Sequence, residues 1–254
     1  EAKPAPLLSI SANGGAGTEQ VRGWPLILQV TVSCPQAPEG DGPRALRLKV
    51  VEGTWADLLD LEVRDGGGKA QEWPLRLAPI AKPGVELTLD RETSGALVWL
   101  LSPEDSERLA AGTYRLQAVL RDERSGGDEG RWRGSVRSDR ATVRIVPPPD
   151  PLPPEAEGRR DGLLARYHVL RGEDEAAMAV AQRMRERAPD SIAAATLQGD
   201  LLAAAGRDRE ALKAYNRALA LFRRQHPDAG EPPRDLLRRQ SRLLDRVLEA
   251  APTR

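Results

Sequence analysis

The sequence predicts two domains of different class, an all-β sandwich over residues 1–146 and an all-α helical array over 155–254, joined by a proline-rich linker at 147–154. Three observations carry this. Between residues 7 and 146, short apolar runs alternate with polar residues at a period of two, the pattern of strands with one buried and one wet face. Residues 147–154 hold six prolines in eight positions. From Glu155 the composition turns to Ala, Leu, Arg and Glu, and small residues recur every 34 positions.

The strands follow in order. Leu26, Leu28, Val30 and Val32 fall on one face of the run from 26 to 32, and Leu46–Val50, Leu59–Val63 and Val85–Leu89 alternate in the same way. The glycines of 65–68 read as a hairpin turn joining the 59–63 strand to the segment Trp73–Leu77. No long helical segment intervenes, which favours a sandwich over a parallel sheet. Ser102 is placed to cap a short helix, with Pro103 at its first position and acidic residues in its first turn. Gly112 then turns the chain into a strand with Tyr114, Leu116, Ala118 and Leu120 on one face. Residues 140–146 close the sheet, with Val136 in that strand or the one before.

The Gly112-Thr113-Tyr114-Arg115-Leu116 approach resembles a late strand of immunoglobulin-like and fibronectin-type domains. That resemblance implies an immunoglobulin-like β-sandwich with a corner tyrosine bonded to upstream backbone. Leu116 stands where antibody-type domains have cysteine, so the sandwich is expected without its disulfide. Cys34 is the single cysteine and reads as a small buried hydrophobe. The five tryptophans all fall in this half and are expected to pack in the core and at corners. Trp132, flanked by Arg131 and Arg133 beside a glycine-rich loop, is the one expected to be partly exposed. These three residues are the candidate site of the alternative function, a carbohydrate- or other ligand-binding module.

The linker has few donors for a sheet and favours polyproline II geometry, reaching roughly 25 Å at about 3.1 Å per residue. Beyond it, Leu163, Ala165, Gly172, Ala177, Ala181 and Met184 recur 34 positions later as Leu197, Gly199, Gly206, Ala211, Tyr215 and Ala218. In each unit a glycine ends the first helix, an acidic residue starts the second, and small residues let the two approach. This register resembles tetratricopeptide (TPR) repeats over about residues 157–226, with Pro189 where that family commonly has proline. Neither unit has the family's early tryptophan, and the second helix of the second unit runs on toward His226. Residues 233–250 form one further, capping helix, with an apolar stripe of Leu236, Leu237, Leu243, Leu244, Val247 and Leu248. Arg234, Arg238, Arg239, Arg242 and Arg246 read as its solvated side.

Composition limits the function. Lys+Arg and Asp+Glu are equal at 38 each, which argues against a general nucleic-acid or anionic-membrane binder. No apolar run reaches the roughly 18–20 residues of a membrane span. The basic residues are almost all arginine, with only five lysines; a GC-rich genome explains this better than phosphate recognition. No catalytic or metal-binding constellation is present by motif, and no cofactor is expected. His168 reads as a packed helix residue. Asn13–Thr18 is glycine-rich but lacks the lysine of a phosphate loop, and reads as a loop between edge strands.

What remains is a non-enzymatic protein–protein interaction adaptor or scaffold. The polar, proline-bearing residues 1–6 are read as the start of an exported protein, so a bacterial periplasmic or extracellular setting is expected, with the cytoplasm as the alternative. The repeat resemblance implies that the first helices of the two units face the partner. On them Arg159, Arg166, Thr196 and Asp200 are the candidate contacts, Arg166 foremost because its long cation reaches acidic groups. The lysine–asparagine clamp with which some repeat proteins hold a peptide's terminal carboxylate is missing: Gly162, Arg166, Thr196 and Asp200 occupy those places. Two units are fewer than the usual three, so the array is expected to lean on the sandwich, a second copy or another protein.

Overall fold

The computed structural model describes residues 5–35, 46–122 and 131–249. Residues 1–4, residues 123–130 of the glycine-containing stretch before Trp132, and Pro252 lie outside these. The chain divides into two compact units, Glu1–Asp150 and Pro151–Arg254, the first β-rich and the second helical.

The first unit contains the strands β1 (Leu7–Ala12), β2 (Gly17–Val21), β3 (Leu26–Ser33), β4 (Leu46–Lys49), β5 (Leu59–Asp65), β6 (Ala70–Gln71), β7 (Arg76–Leu77), β8 (Glu86–Leu89) and β9 (Gly95–Leu101). A short helix, α1 (Pro103–Glu107), precedes β10 (Gly112–Asp122), β11 (Gly134–Arg137) and β12 (Ala141–Val146). One sheet has the order β1-β3-β9-β7; a second has β2-β12-β10-β5-β6 with β11 also on β10; β4 and β8 form a separate pair. β1 and β2 follow each other in the chain but sit at the edges of different sheets, and β2 runs parallel to β12.

Alternation explains the core. Leu28, Val30 and Val32 from β3, Leu97 and Leu101 from β9, Leu116, Ala118 and Leu120 from β10, and Val143 and Ile145 from β12 share one apolar cluster. Each fully buried leucine or isoleucine stabilises the fold by about 1.5–3 kcal/mol relative to exposure. Cys34 lies in the same cluster, fully buried, with its thiol toward the Ala5 carbonyl at 3.7 Å. Ser102 caps α1 by accepting from the Asp105 amide at 3.1 Å, with Pro103 at its first position. The Tyr114 hydroxyl donates to the Ala110 carbonyl at 3.0 Å, four residues upstream, and its ring meets Trp73 edge-on at 5.1 Å. Val136 belongs to β11, the strand before the closing one.

One expected hairpin is different. β5 turns back at the glycines onto Ala70–Gln71, not onto Trp73–Leu77. Pro74 then carries the chain across to the other sheet, where Leu77 pairs with Trp99. A proline has no N–H to give to a ladder, so the segment around it cannot continue the hairpin.

The second unit contains α2 (Pro154–Arg171), α3 (Asp174–Arg187), α4 (Ile192–Ala204), α5 (Asp208–Gln225) and α6 (Arg234–Glu249). The last linker prolines belong to α2: Pro153 is its N-cap and Pro154 its first residue, where a missing N–H costs nothing. Gly172 and Gly206, 34 apart, both take left-handed backbone (φ 74° and 71°) as the chain leaves α2 and α4. Ser191 caps α4 through the Ala194 amide at 3.2 Å. Ala165 and Gly199, Ala177 and Ala211, Ala181 and Tyr215, and Met184 and Ala218 are all buried, so these four repeated pairs are packing positions. At Gly199 α4 packs tightly on α5: a β-carbon there would lie 2.5 Å from Cε1 of Tyr215.

The α6 stripe is narrower than its sequence suggests. Leu236 and Leu243, seven residues apart, are buried against the α5 cluster, and Leu237 packs at its margin. Leu244, one step further round, is 41% exposed. Two of the arginines read as solvated reach back instead: Arg239 pairs with Asp200 of α4, and Arg246 with Asp208 of α5 at 3.1 Å. The α6 capping helix is therefore tied by charge as well as by leucine.

Candidate functional site

On the helical unit, Arg159 and Arg166 lie seven residues apart on α2, hence on one side of it, and both are exposed. Among the described residues neither guanidinium has a carboxylate partner. Other cations of the first hairpin, Arg183 apart, are engaged. Arg187 holds the buried carboxylate of Asp161 at 2.8 Å and Glu157 at 3.3 Å, and Arg171 pairs with Glu173 at 2.9 Å. His168 is half-buried, with Nδ1 2.7 Å from the same Glu173 carboxylate and its ring edge-on to Tyr167. It is packed and within hydrogen-bonding distance of a carboxylate, in keeping with a structural reading.

The two candidates on α4 differ in kind. Thr196 is half-buried. Asp200 accepts the Tyr215 hydroxyl at 2.7 Å and the Arg239 guanidinium, joining α4, α5 and α6. Its carboxylate is thus committed within the array. Burial is the main cause that pushes the Tyr215 phenol above its ordinary value, and its hydrogen bond to Asp200 adds to it.

The tryptophan candidates of the β-rich unit also separate. Trp24 and Trp55 are buried, and Trp73, Trp99 and Trp132 are half-buried and packed against the core, so none of the five is an exposed residue. The Trp132 amide donates to the Arg47 carbonyl at 2.9 Å, fixing its segment beside β4. Arg131 is turned inward: Nε and Nη2 make a bidentate pair with Asp122 at 2.9 and 2.8 Å, the two side chains 7% and 0% exposed. Arg133 is exposed.

A feature that sequence reasoning missed lies on the wet face of the larger sheet. A shallow groove of about 340 Å³ is lined by Arg64, Arg115, Arg137 and Arg140, with Glu62, Gln117 and Gly68. β5 and β10 put Arg64 directly opposite Arg115, and Glu62 opposite Gln117. Glu62 is shared by Arg137 at 2.9 Å, Arg121 at 3.1 Å and Arg64 at 3.8 Å. The hydrogen bond from Arg137 holds its carboxyl below the usual 4.5. The signal was present as the polar half of each alternation, but only strand register brings the arginines together.

No family model matches this chain, and no curated protein matches it. Among solved structures, a family 123 glycoside hydrolase from Clostridium perfringens, studied for glycolipid glycan hydrolysis, is similar with a TM-score of 0.32 and 9% identity over 71% of this chain. The chain spans 36% of that structure. AggA, the major subunit of aggregative adherence fimbriae type I from Escherichia coli, has a TM-score of 0.28 and 9% identity over 57% of this chain and 97% of AggA. Likenesses of this size carry no argument about activity or partners. No helix among the described residues is long and apolar enough to cross a membrane.

Proposed function

We propose that the protein is a non-enzymatic adaptor or scaffold that binds another protein through its helical unit, in a bacterial envelope or extracellular assembly. The observation that carries this is the pair Arg159 and Arg166: exposed, on one side of α2, and without a carboxylate partner among the described residues. The helical unit reads as two TPR-like hairpins with a capping helix. Its support is the burial of four repeated pairs, Ala165/Gly199, Ala177/Ala211, Ala181/Tyr215 and Met184/Ala218, and the matching left-handed glycines that end α2 and α4. Such arrays present their first helices to partners and bind mostly proteins. The β-rich unit reads as an immunoglobulin-like sandwich without its disulfide. Its support is the Tyr114 hydroxyl bond to the Ala110 carbonyl, the geometry of a tyrosine corner.

The alternative, a carbohydrate module built on tryptophan stacking, is weaker because each tryptophan ring is at least half covered by the core. Affinity capture from the native host with the full chain tests the adaptor reading. A partner retained by the native protein and lost by the double variant Arg159→Glu, Arg166→Glu, with unchanged melting, supports it. If every captured protein binds the double variant equally, the reading is overturned. Cell fractionation checks the compartment: recovery in the cytoplasmic fraction alone would overturn the envelope setting.

A further inference from the structure

The arginine groove on the β-rich unit has a charge pattern that folding does not account for. Four arginines line it against one carboxylate, and Glu62 is already divided among three guanidinium groups. Arg115 and Arg140 are both exposed, and among the described residues neither guanidinium has a carboxylate or hydrogen-bonding partner. Arg115 sits directly across from Arg64 on β5, and like charges in opposed strand positions are destabilising. Both arginines of the pair are exposed, so burial does not require either of them.

The groove is also built. Arg64 donates to the Gly68 carbonyl at 3.2 Å, and Gln117 donates to the Ser138 carbonyl at 2.7 Å. Arg137 reaches both Glu62 and the Gln117 amide oxygen. These bonds hold three walls in place, while Arg115 and Arg140 remain to take a ligand. Planar guanidinium forks suit carboxylates and other oxyanions, with two parallel N–H···O bonds each.

We propose that this groove binds an acidic segment of a protein partner, with its carboxylates on Arg115 and Arg140 and with Arg64 and Arg137 flanking. Two observations favour a peptide over the other anions. No aromatic side chain lines the groove, so sugar rings and nucleobases find no stacking surface there. The cationic footprint is short: Asp60 and Glu62 lie on its β5 side and Glu19 beyond Arg144 on the other, which would repel a long, uniform polyanion. A few adjacent Asp or Glu side chains fit that extent. The site is formed by residues of the β-rich unit alone, and its assignment does not rest on the helical face.

The test is fluorescence anisotropy on the full chain at low salt, with a short labelled poly-glutamate peptide and poly-glutamine as the control. The expected result is saturable binding of poly-glutamate only, weakened about tenfold by either Arg115→Gln or Arg140→Gln, the loss of one charge-assisted contact. Arg115→Gln should leave the melting temperature unchanged or raise it, since it removes the like-charge pair. Failure of poly-glutamate to saturate, or equal affinity in both variants, would overturn the assignment. So would displacement of the peptide by inorganic phosphate or a sulfated oligosaccharide at lower concentration than by unlabelled peptide, or a marked fall in melting for Arg115→Gln. The readout is the peptide itself, so failure here leaves the helical-array reading standing.

Discussion

Tyr215 fills the space that a side chain on Gly199 would need. The equivalent pair 34 residues earlier is Ala165 and Ala181, so a large residue on the second helix is matched by the loss of the β-carbon on the first. Gly199→Ala is expected to cost about 1–3 kcal/mol of overpacking, more than the ~1 kcal/mol that alanine gains over glycine in a helix. In the double variant Gly199→Ala, Tyr215→Ala, which copies the first hairpin, the alanine at 199 should no longer be penalised. Urea unfolding followed by helical circular dichroism measures both effects. A Gly199→Ala variant as stable as the native protein would contradict the packing.

The Arg131–Asp122 pair should matter as a pair. Arg131→Met leaves a fully buried carboxylate without its cation, and such a break costs about 3–5 kcal/mol. Arg131→Met combined with Asp122→Val removes both charges and is expected to cost less than Arg131→Met alone. The tryptophan fluorescence midpoint in urea reads the β-rich unit, because all five tryptophans lie there. Additive losses in the double variant would mean that the two side chains act independently.

The Tyr215–Asp200–Arg239 network predicts an alkaline weakness. The phenol's folded pKa is raised above its ordinary 10.0, so its contribution is fully present below pH 10 and is lost as pH rises through the folded value. The helical signal should therefore fall at high pH, and Tyr215→Phe should remove that part of the pH dependence. An identical alkaline profile in Tyr215→Phe would exclude Tyr215 as the group responsible.

The features readable from sequence were local ones. Alternation along Leu26–Ser33, the Ser102 cap with Pro103, and the glycines that end α2 and α4 each depend on a few adjacent residues. What escaped depends on partners brought together by register or by packing. Trp73–Leu77 resembled the second arm of a hairpin because nothing nearby in sequence announces that Leu77 meets Trp99. Arg239 and Arg246 looked solvated because the α6 stripe does not reveal Asp200 and Asp208 across from it. The candidate site was readable only in part: Arg159 and Arg166 are exposed as expected, while Asp200 and Arg131 are held by internal carboxylate–cation contacts. The arginine groove was hidden in four separate strands and turns, each with an ordinary polar residue at its wet position.

The parallel pairing of β2 with β12 bears on how the β-rich unit would carry tension. A pull drawing residues before β2 one way and residues after Val146 the other would peel β1 or load the β2–β12 ladder lengthwise. In the second case, the hydrogen bonds between the segments Gly17–Val21 and Thr142–Val146 resist together rather than opening one by one. Linked in series with other parts of an assembly, this unit would resist rupture through the rate at which that ladder shears, a kinetic property distinct from equilibrium stability.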